Sequence, residues 1–160
     1  MNRHIKNVAV LGSGVMGSRI AALFASIGVK VLLLDMPAGD TAPGEKAAVR
    51  NKLVNDHLAS ALKANPSPIY HPSFASNIQT GNFEDNFQDI KDADWIIEVV
   101  VERLDIKKSI FEKTDLYRKP GSIISSNTSG IPIRMMAEGR SEDFKKHFLG
   151  THFFNPPRYL

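Results

Sequence analysis

With 160 residues, of which 42% are hydrophobic and 23% charged, the chain has the size and composition of a single soluble globular domain. It contains no cysteine, which excludes disulfide frameworks and thiolate metal sites, and no apolar run approaches the ~18 residues that span a bilayer. The absence of cysteine suits a reducing compartment, so we expect a cytoplasmic protein. The net charge of +3 is small and the basic residues are scattered, so we expect no binding to nucleic acid.

The chain begins with the strand–helix–strand pattern of a parallel sheet. An apolar run predicts a strand over residues 5–11, and apolar residues three and four positions apart predict a helix over 14–27, which Gly28 ends. The continuously apolar run 31–34 predicts a second strand that is covered on both faces. Short joints between these elements are typical of a βαβ unit, in which the two strands are parallel.

The same alternation of strands and helices continues to the end of the chain. Further strands are predicted over 78–80, 94–101, 122–126 and 148–154, and further helices over 45–64, 104–117 and 133–137. We find no internal repeat and no shift of composition. The pattern predicts one doubly wound α/β domain with a mostly parallel sheet over residues 1–160.

The strongest local signal is the glycine loop 12–17, which has the sequence GSGVMG and lies between a predicted strand and a predicted helix. In such a loop Gly12 permits a tight turn, Gly14 lets the backbone approach a pyrophosphate, and Gly17 lets the helix pack closely on the sheet. The N–H groups at the start of the helix would bind the phosphates. This context predicts a Rossmann-type dinucleotide site.

An acidic residue follows at the position expected for a ribose ligand. Asp35 ends the second predicted strand, 23 residues after Gly12. Because Met36 follows it, and because a carboxylate repels a 2′-phosphate, we predict NAD rather than NADP. Two alternatives are a tight turn with a capping aspartate and an S-adenosylmethionine-dependent methyltransferase, the latter disfavoured by the three-glycine spacing.

Four blocks extend the interpretation over nearly the whole chain: VLGSGVMG (10–17), DWIIEVVVE (94–102), SSNTS (125–129) and GTHFFNP (150–156). They resemble the NAD-binding domain of L-3-hydroxyacyl-CoA dehydrogenases, above all the dehydrogenase portion of bacterial multifunctional fatty-acid β-oxidation proteins. The last two blocks are the more specific. The resemblance implies an enzyme that oxidises L-3-hydroxyacyl-CoA to 3-ketoacyl-CoA with hydride transfer to NAD, and a homo-oligomeric parent protein.

The resemblance also implies roles for individual residues. His152 matches the catalytic base that removes the 3-hydroxyl proton, a role suited to a neutral imidazole. Ser129 matches the hydroxyl that hydrogen-bonds the reacting oxygen of the substrate, and Glu102 and Asn155 match residues at the nicotinamide end. The cofactor-binding residues that it implies are Gly12, Gly14, Val15, Met16, Gly17, Asp35, Glu102, Lys107, Asn127, Ser129 and Asn155.

Plainer interpretations apply to several of these residues. Lys107 and Lys108 are most simply a solvated helix face, and Asn155 before Pro156 is equally a turn former. Trp95 is expected in the core. No motif supports a role for the remaining histidines, and none of their spacings is that of a metal site, so we predict no metal and assign four histidines to the surface: His4, His57, His71 and His147.

The resemblance is incomplete at two places. In the family, the glutamate that orients the catalytic histidine and the helical C-terminal domain would both fall beyond Leu160. In addition, residues 65–74 are broken by prolines where the family has a longer helical excursion. We therefore expect a fragment that binds NAD and turns over hydroxyacyl-CoA little or not at all. A non-catalytic NAD-binding or structural protein on this fold, or another 3-hydroxyacid dehydrogenase, remains an alternative.

Overall fold

The computed structural model describes residues 4–159 and contains one six-stranded sheet. Its strands are β1 (Asn7–Leu11), β2 (Lys30–Asp35), β3 (Ile78–Asn82), β4 (Trp95–Glu98), β5 (Ile123–Asn127) and β6 (Phe148–Thr151). Their order is β3-β2-β1-β4-β5-β6, and every neighbouring pair is parallel. The order reverses between β1 and β4, which confirms the predicted doubly wound topology and creates a crevice at the carboxyl ends of these strands.

Six α-helices connect the strands: α1 (Val15–Ser26), α2 (Ala47–Arg50), α3 (Lys52–Leu62), α4 (Leu104–Tyr117), α5 (Ile133–Met136) and α6 (Glu142–His147). Two 3₁₀ helices precede β3 and β4, at Pro72–Asn77 and Phe87–Asp92. Among the described residues, no helix is both long enough and apolar enough to cross a membrane.

Two helix predictions differ from the structure. The single helix predicted over 45–64 is divided at Asn51, whose side-chain oxygen accepts a hydrogen bond from buried Asn82 at 2.7 Å. The short helix α6 was not predicted. Its start carried a recognisable signal, because Ser141 accepts a hydrogen bond from the N–H of Phe144 at 3.1 Å and acidic residues follow in the first turn.

Strands β4 and β6 are shorter than the predicted ranges 94–101 and 148–154. Beyond each strand a side chain replaces the sheet as hydrogen-bond acceptor. Glu98 accepts from the N–H of Val100 at 2.7 Å, and Asn127 accepts from the N–H of Phe153 at 2.8 Å. Backbone N–H groups next to a core need a partner, and these side chains let the two strands end early.

The core lies on both faces of the sheet. One cluster joins α1 to β1 and β2 and includes Ile20, Phe24 and Leu33, and a second lies under the 3₁₀ helix before β4. Trp95 is only half-buried, with its ring edge-on to Phe24 at 5.3 Å and its indole N–H bonded to Ser125 at 2.9 Å. A third cluster packs α4, α5 and α6 against β5 and supports the loop after that strand.

Candidate functional site

The glycine loop makes a turn that larger residues would obstruct. Gly12 has a φ of +110°, and a Cβ added there would lie 2.7 Å from the carbonyl oxygen of Val99. A Cβ on Gly17 would lie 1.7 Å from the carbonyl oxygen of Gly12, so α1 approaches the loop as closely as a glycine allows. A Cβ on Gly14 would meet nothing within 4 Å. The middle glycine therefore faces open space, where a ligand can approach.

The N-terminus of α1 lies at this opening. Its N-cap is Gly14, no side chain caps the helix, and its first turn contains no acidic residue. The first N–H groups of a helix have no partner within the helix and carry its partial positive charge. Uncapped N–H groups beside a glycine whose Cα faces open space fit the diphosphate of a dinucleotide.

Asp35, at the end of β2, is held against the glycine loop. Its Oδ2 accepts hydrogen bonds from the backbone N–H of Ser13 at 2.7 Å and from the Ser13 hydroxyl at 2.5 Å. Its Oδ1 accepts from the N–H of Met36 at 2.7 Å. The side chain is only 16% exposed. The predicted ribose acid and the predicted phosphate loop thus form one unit.

His57, predicted to be a plain surface residue, also belongs to this unit. It projects from α3, and its Nδ1 lies 2.8 Å from Ser13 Oγ and 3.9 Å from Asp35 Oδ2. The sequence contained no signal for this contact, because it joins residues 44 positions apart through the packing of α3 beside α1. The glycine loop and Asp35, by contrast, could be recognised from their spacing in the sequence.

On the other side of the crevice, Glu102 holds the loop that carries Ser129. Its Oε1 accepts hydrogen bonds from the Thr128 hydroxyl and from the N–H groups of Ser129 at 3.1 Å and Gly130 at 3.2 Å. Its Oε2 lies 3.3 Å from Lys107 Nζ. Partial burial alone raises the pKa of Glu102, but the bonds from Thr128 and Gly130 and the Lys107 charge lower it to about 2.

The low pKa of Glu102 predicts an acid-resistant loop. A folded-state pKa of about 2, below the ordinary 4.5, means that the carboxylate contributes stability above about pH 4.5 and loses it as the pH falls through about 2. In an NMR titration, the amide signals of Ser129 and Gly130 are expected to stay unchanged down to about pH 3. Glu102→Gln is the control, since it removes the titrating group. A midpoint near 4.5 would contradict the assignment.

Lys107 is buried, which makes its interpretation as part of a solvated helix face wrong. Its ammonium donates to both oxygens of Glu98, at 2.8 and 2.9 Å, and both side chains are 0% exposed. Glu98 also accepts from the Ser126 hydroxyl. Lys108, by contrast, is 37% exposed and pairs with Glu138. The direct contact of Lys107 with a cofactor stays a prediction.

The structure brings Ser129 and His152 together. They follow β5 and β6, whose last residues Asn127 and Thr151 are paired in the sheet, and both line one cavity of about 320 Å³. The His152 ring stacks on Phe154, with the ring centres 5.1 Å apart. Within residues 4–159 the His152 nitrogens have no hydrogen-bond partner, so both are open to a substrate.

Asn155 links the segment that carries His152 to the glycine-loop helix α1. Its Oδ1 accepts a hydrogen bond from Arg19 of α1, and the ring of Phe153 packs edge-on against Phe24 of the same helix at 6.3 Å. Helix α1 therefore contacts both the glycine loop and the segment after β6. All of the predicted site residues lie at or just beyond the carboxyl ends of strands or at the start of the following helix, where open parallel sheets bind their ligands.

The chain is similar over nearly its whole length to proteins of one family. Residues 7–160 match the family described as "3-hydroxyacyl-CoA dehydrogenase, NAD binding domain". A "Probable 3-hydroxyacyl-CoA dehydrogenase" of Bacillus subtilis (strain 168) is 54% identical, over 100% of this chain and 21% of its own length. A "Putative fatty acid oxidation complex trifunctional enzyme" of Rickettsia felis is 42% identical, also over 100% of this chain and 21% of its own length.

Solved structures give the same result. The crystal structure of (S)-3-hydroxybutyryl-CoA dehydrogenase PaaH1 from Ralstonia eutropha has a TM-score of 0.69 and 28% identity, over 96% of this chain and 50% of that one. The chain thus spans between a fifth and a half of the length of these three proteins. The resemblance inferred from the four sequence blocks is confirmed.

Proposed function

The chain belongs to the family of NAD-binding domains of 3-hydroxyacyl-CoA dehydrogenases, and from this premise we propose that it oxidises L-3-hydroxyacyl-CoA to 3-ketoacyl-CoA as part of a longer enzyme of fatty-acid β-oxidation. The observation that carries the proposal is the single cavity shared by Ser129 and His152. A hydroxyl donor and an open imidazole on one cavity are the groups needed to hold and deprotonate a secondary alcohol.

The cofactor site follows from the same geometry. The uncapped N–H groups at the start of α1 and the open face of Gly14 would hold the diphosphate, and Asp35 would accept a ribose hydroxyl. Met36, the exposed residue after Asp35, provides no cation for a 2′-phosphate, which supports NAD over NADP. When bound, NAD supplies the hydride acceptor.

The chain's own residues would manage the substrate oxygen. The Ser129 hydroxyl donates a hydrogen bond to that oxygen and holds it beside His152. The imidazole takes the hydroxyl proton while the hydride leaves the same carbon, so that a C=O bond replaces the C–H and O–H bonds. Glu102 keeps the Ser129 loop in place through its three hydrogen bonds. Glu102 is therefore a positioning residue in our proposal, because it acts on the substrate only through the Ser129 loop.

We further propose that the parent enzyme is a cytoplasmic homo-oligomer in which another domain completes the acyl-CoA site. This is supported by the resemblance to bacterial β-oxidation enzymes and by the relatives' greater length, of which the chain matches 21%. A histidine base without its orienting partner loses most of its effect in comparable dyads. Robust turnover by these 160 residues alone would contradict this part of the proposal.

The proposal is tested by the response of the site to the substrate's oxygen. With the chain saturated by NADH, acetoacetyl-CoA is expected to shift the NMR signals of the His152 ring and the Ser129 amide, because its 3-oxo group accepts a hydrogen bond there. Butyryl-CoA is the matched control, since it lacks only that oxygen. Equal shifts of these signals with both compounds would contradict the assignment and favour a non-catalytic NAD-binding protein.

A further inference from the structure

Ser13 stands between an acid and a histidine that come from different elements. Its hydroxyl lies 2.5 Å from Asp35 Oδ2 at the end of β2 and 2.8 Å from His57 Nδ1 on α3. Ser13 is fully buried, whereas the His57 side chain is 42% exposed. The three groups form a continuous hydrogen-bonded row from the solvent-facing side of α3 to the predicted ribose acid.

The protons of this row can be assigned from the contacts alone. An ionised aspartate only accepts hydrogen bonds, and a serine hydroxyl has one proton to donate. At 2.5 Å from Asp35, that proton lies toward the carboxylate. Ser13 Oγ must therefore accept from His57, which makes Nδ1 the protonated nitrogen of the ring. In the neutral ring, Nε2 is then the unprotonated nitrogen.

The two oxygens of Asp35 differ in how many further hydrogen bonds they can accept. Each carboxylate oxygen can accept about two hydrogen bonds. Oδ2 already accepts two from Ser13, through the backbone N–H and the hydroxyl. Oδ1 accepts one from the N–H of Met36 and keeps room for another. The oxygen left for a ribose hydroxyl is Oδ1, and its direction depends on how firmly Oδ2 is held.

We propose that His57 is a positioning residue for cofactor binding, which acts through Ser13 to orient Asp35 toward the adenosine ribose. His57 and the loop residues Ser13 and Gly14 line one cavity of about 290 Å³, so the row borders the space beside the phosphate loop. Asp35 Oδ2 lies 3.9 Å from Nδ1 of the ring, and Arg19 of α1 lines the same cavity as His57. This inference rests on the proposed cofactor site and adds α3 to it.

The first test needs no cofactor. Long-range ¹H–¹⁵N NMR spectra distinguish a protonated from an unprotonated imidazole nitrogen, and Nδ1 of neutral His57 is expected to carry the proton. The Ser13→Ala variant removes the acceptor, so its His57 ring is expected to shift toward the Nε2-protonated tautomer. A wild-type ring protonated at Nε2 would overturn the proton assignment and the inference with it.

The second test compares two amides at position 57. The side-chain nitrogen of Asn lies as many bonds from the backbone as Nδ1, and that of Gln as many as Nε2. In an NADH fluorescence titration, His57→Ala and His57→Gln are expected to weaken binding about 5-fold, the worth of one hydrogen bond. His57→Asn is expected to stay within about twofold of the wild type, because it keeps the donor. His71→Ala, which changes an exposed histidine bonded to Ser73, is the matched control.

A double change separates positioning from general damage. In the Ser13→Ala background, His57→Ala is expected to add no further loss of NADH affinity, since the row is already interrupted. Additive losses, or His57→Asn binding as weakly as His57→Ala, would overturn the inference. Wild-type chain that is folded but does not bind NADH would instead count against the proposed cofactor site, and the tautomer would still be read independently.

Discussion

Lys107→Met is expected to lower the free energy of unfolding by about 3–5 kcal/mol, because it leaves a buried carboxylate without its counter-ion. Glu98 is 0% exposed, and Lys107 donates to both of its oxygens. Methionine replaces the length of the lysine side chain but not its charge, so the loss comes from the unpaired ion rather than from a cavity. Urea unfolding monitored by circular dichroism measures the change.

Lys108→Met is the control for this substitution, on the same helix one residue away. Its partner Glu138 is 72% exposed, and exposed ion pairs contribute at most about 1 kcal/mol. The double change Lys107→Met with Glu98→Gln is expected to recover much of the stability, because neither charge then remains in the core. If Lys107→Met costs no more than Lys108→Met, the pair is not buried as described.

Substitutions at two glycines of the loop are expected to separate stability from cofactor binding. Gly17→Ala is expected to cost about 3 kcal/mol of unfolding free energy, because its Cβ would lie 1.7 Å from the backbone oxygen of Gly12 and two backbone segments would have to move apart. Gly14→Ala is expected to cost at most about 1 kcal/mol, from the preference of a helix N-cap for glycine over alanine, since its Cβ meets nothing within 4 Å and its φ of −53° lies outside the left-handed region.

The cofactor should respond to Gly14→Ala instead. A methyl group at the mouth of the loop occupies the approach to the N–H groups of α1, and we expect NADH affinity to fall at least about tenfold. Thermal unfolding and calorimetric titration of both variants measure the two effects separately. Wild-type NADH affinity in Gly14→Ala would show that the diphosphate is bound elsewhere, and wild-type stability in Gly17→Ala would show that the loop and helix can relax.

Features encoded within a short stretch of chain were predictable from the sequence. Each of these patterns is formed by residues close in sequence: the apolar runs of β1 and β2, the helical period of α1 and the spacing of the glycine loop. The structure contains all of them in the predicted order. Hydrophobic period and turn chemistry are local properties, which is why they can be recognised without knowing what packs against them. The family blocks also identified His152 and Ser129 as candidate site residues.

What only the tertiary structure decided is how the polar side chains are paired. The sequence favoured a solvated face for Lys107, but the structure pairs it with buried Glu98. The sequence predicted only a surface position for His57, which contacts Ser13 because α3 packs beside α1. Strand ends were predicted too long because Glu98 and Asn127 take over backbone N–H groups. A polar residue's environment depends on which strand ends the sheet order brings together. That order results from burying the whole core, and no single segment of the sequence contains it.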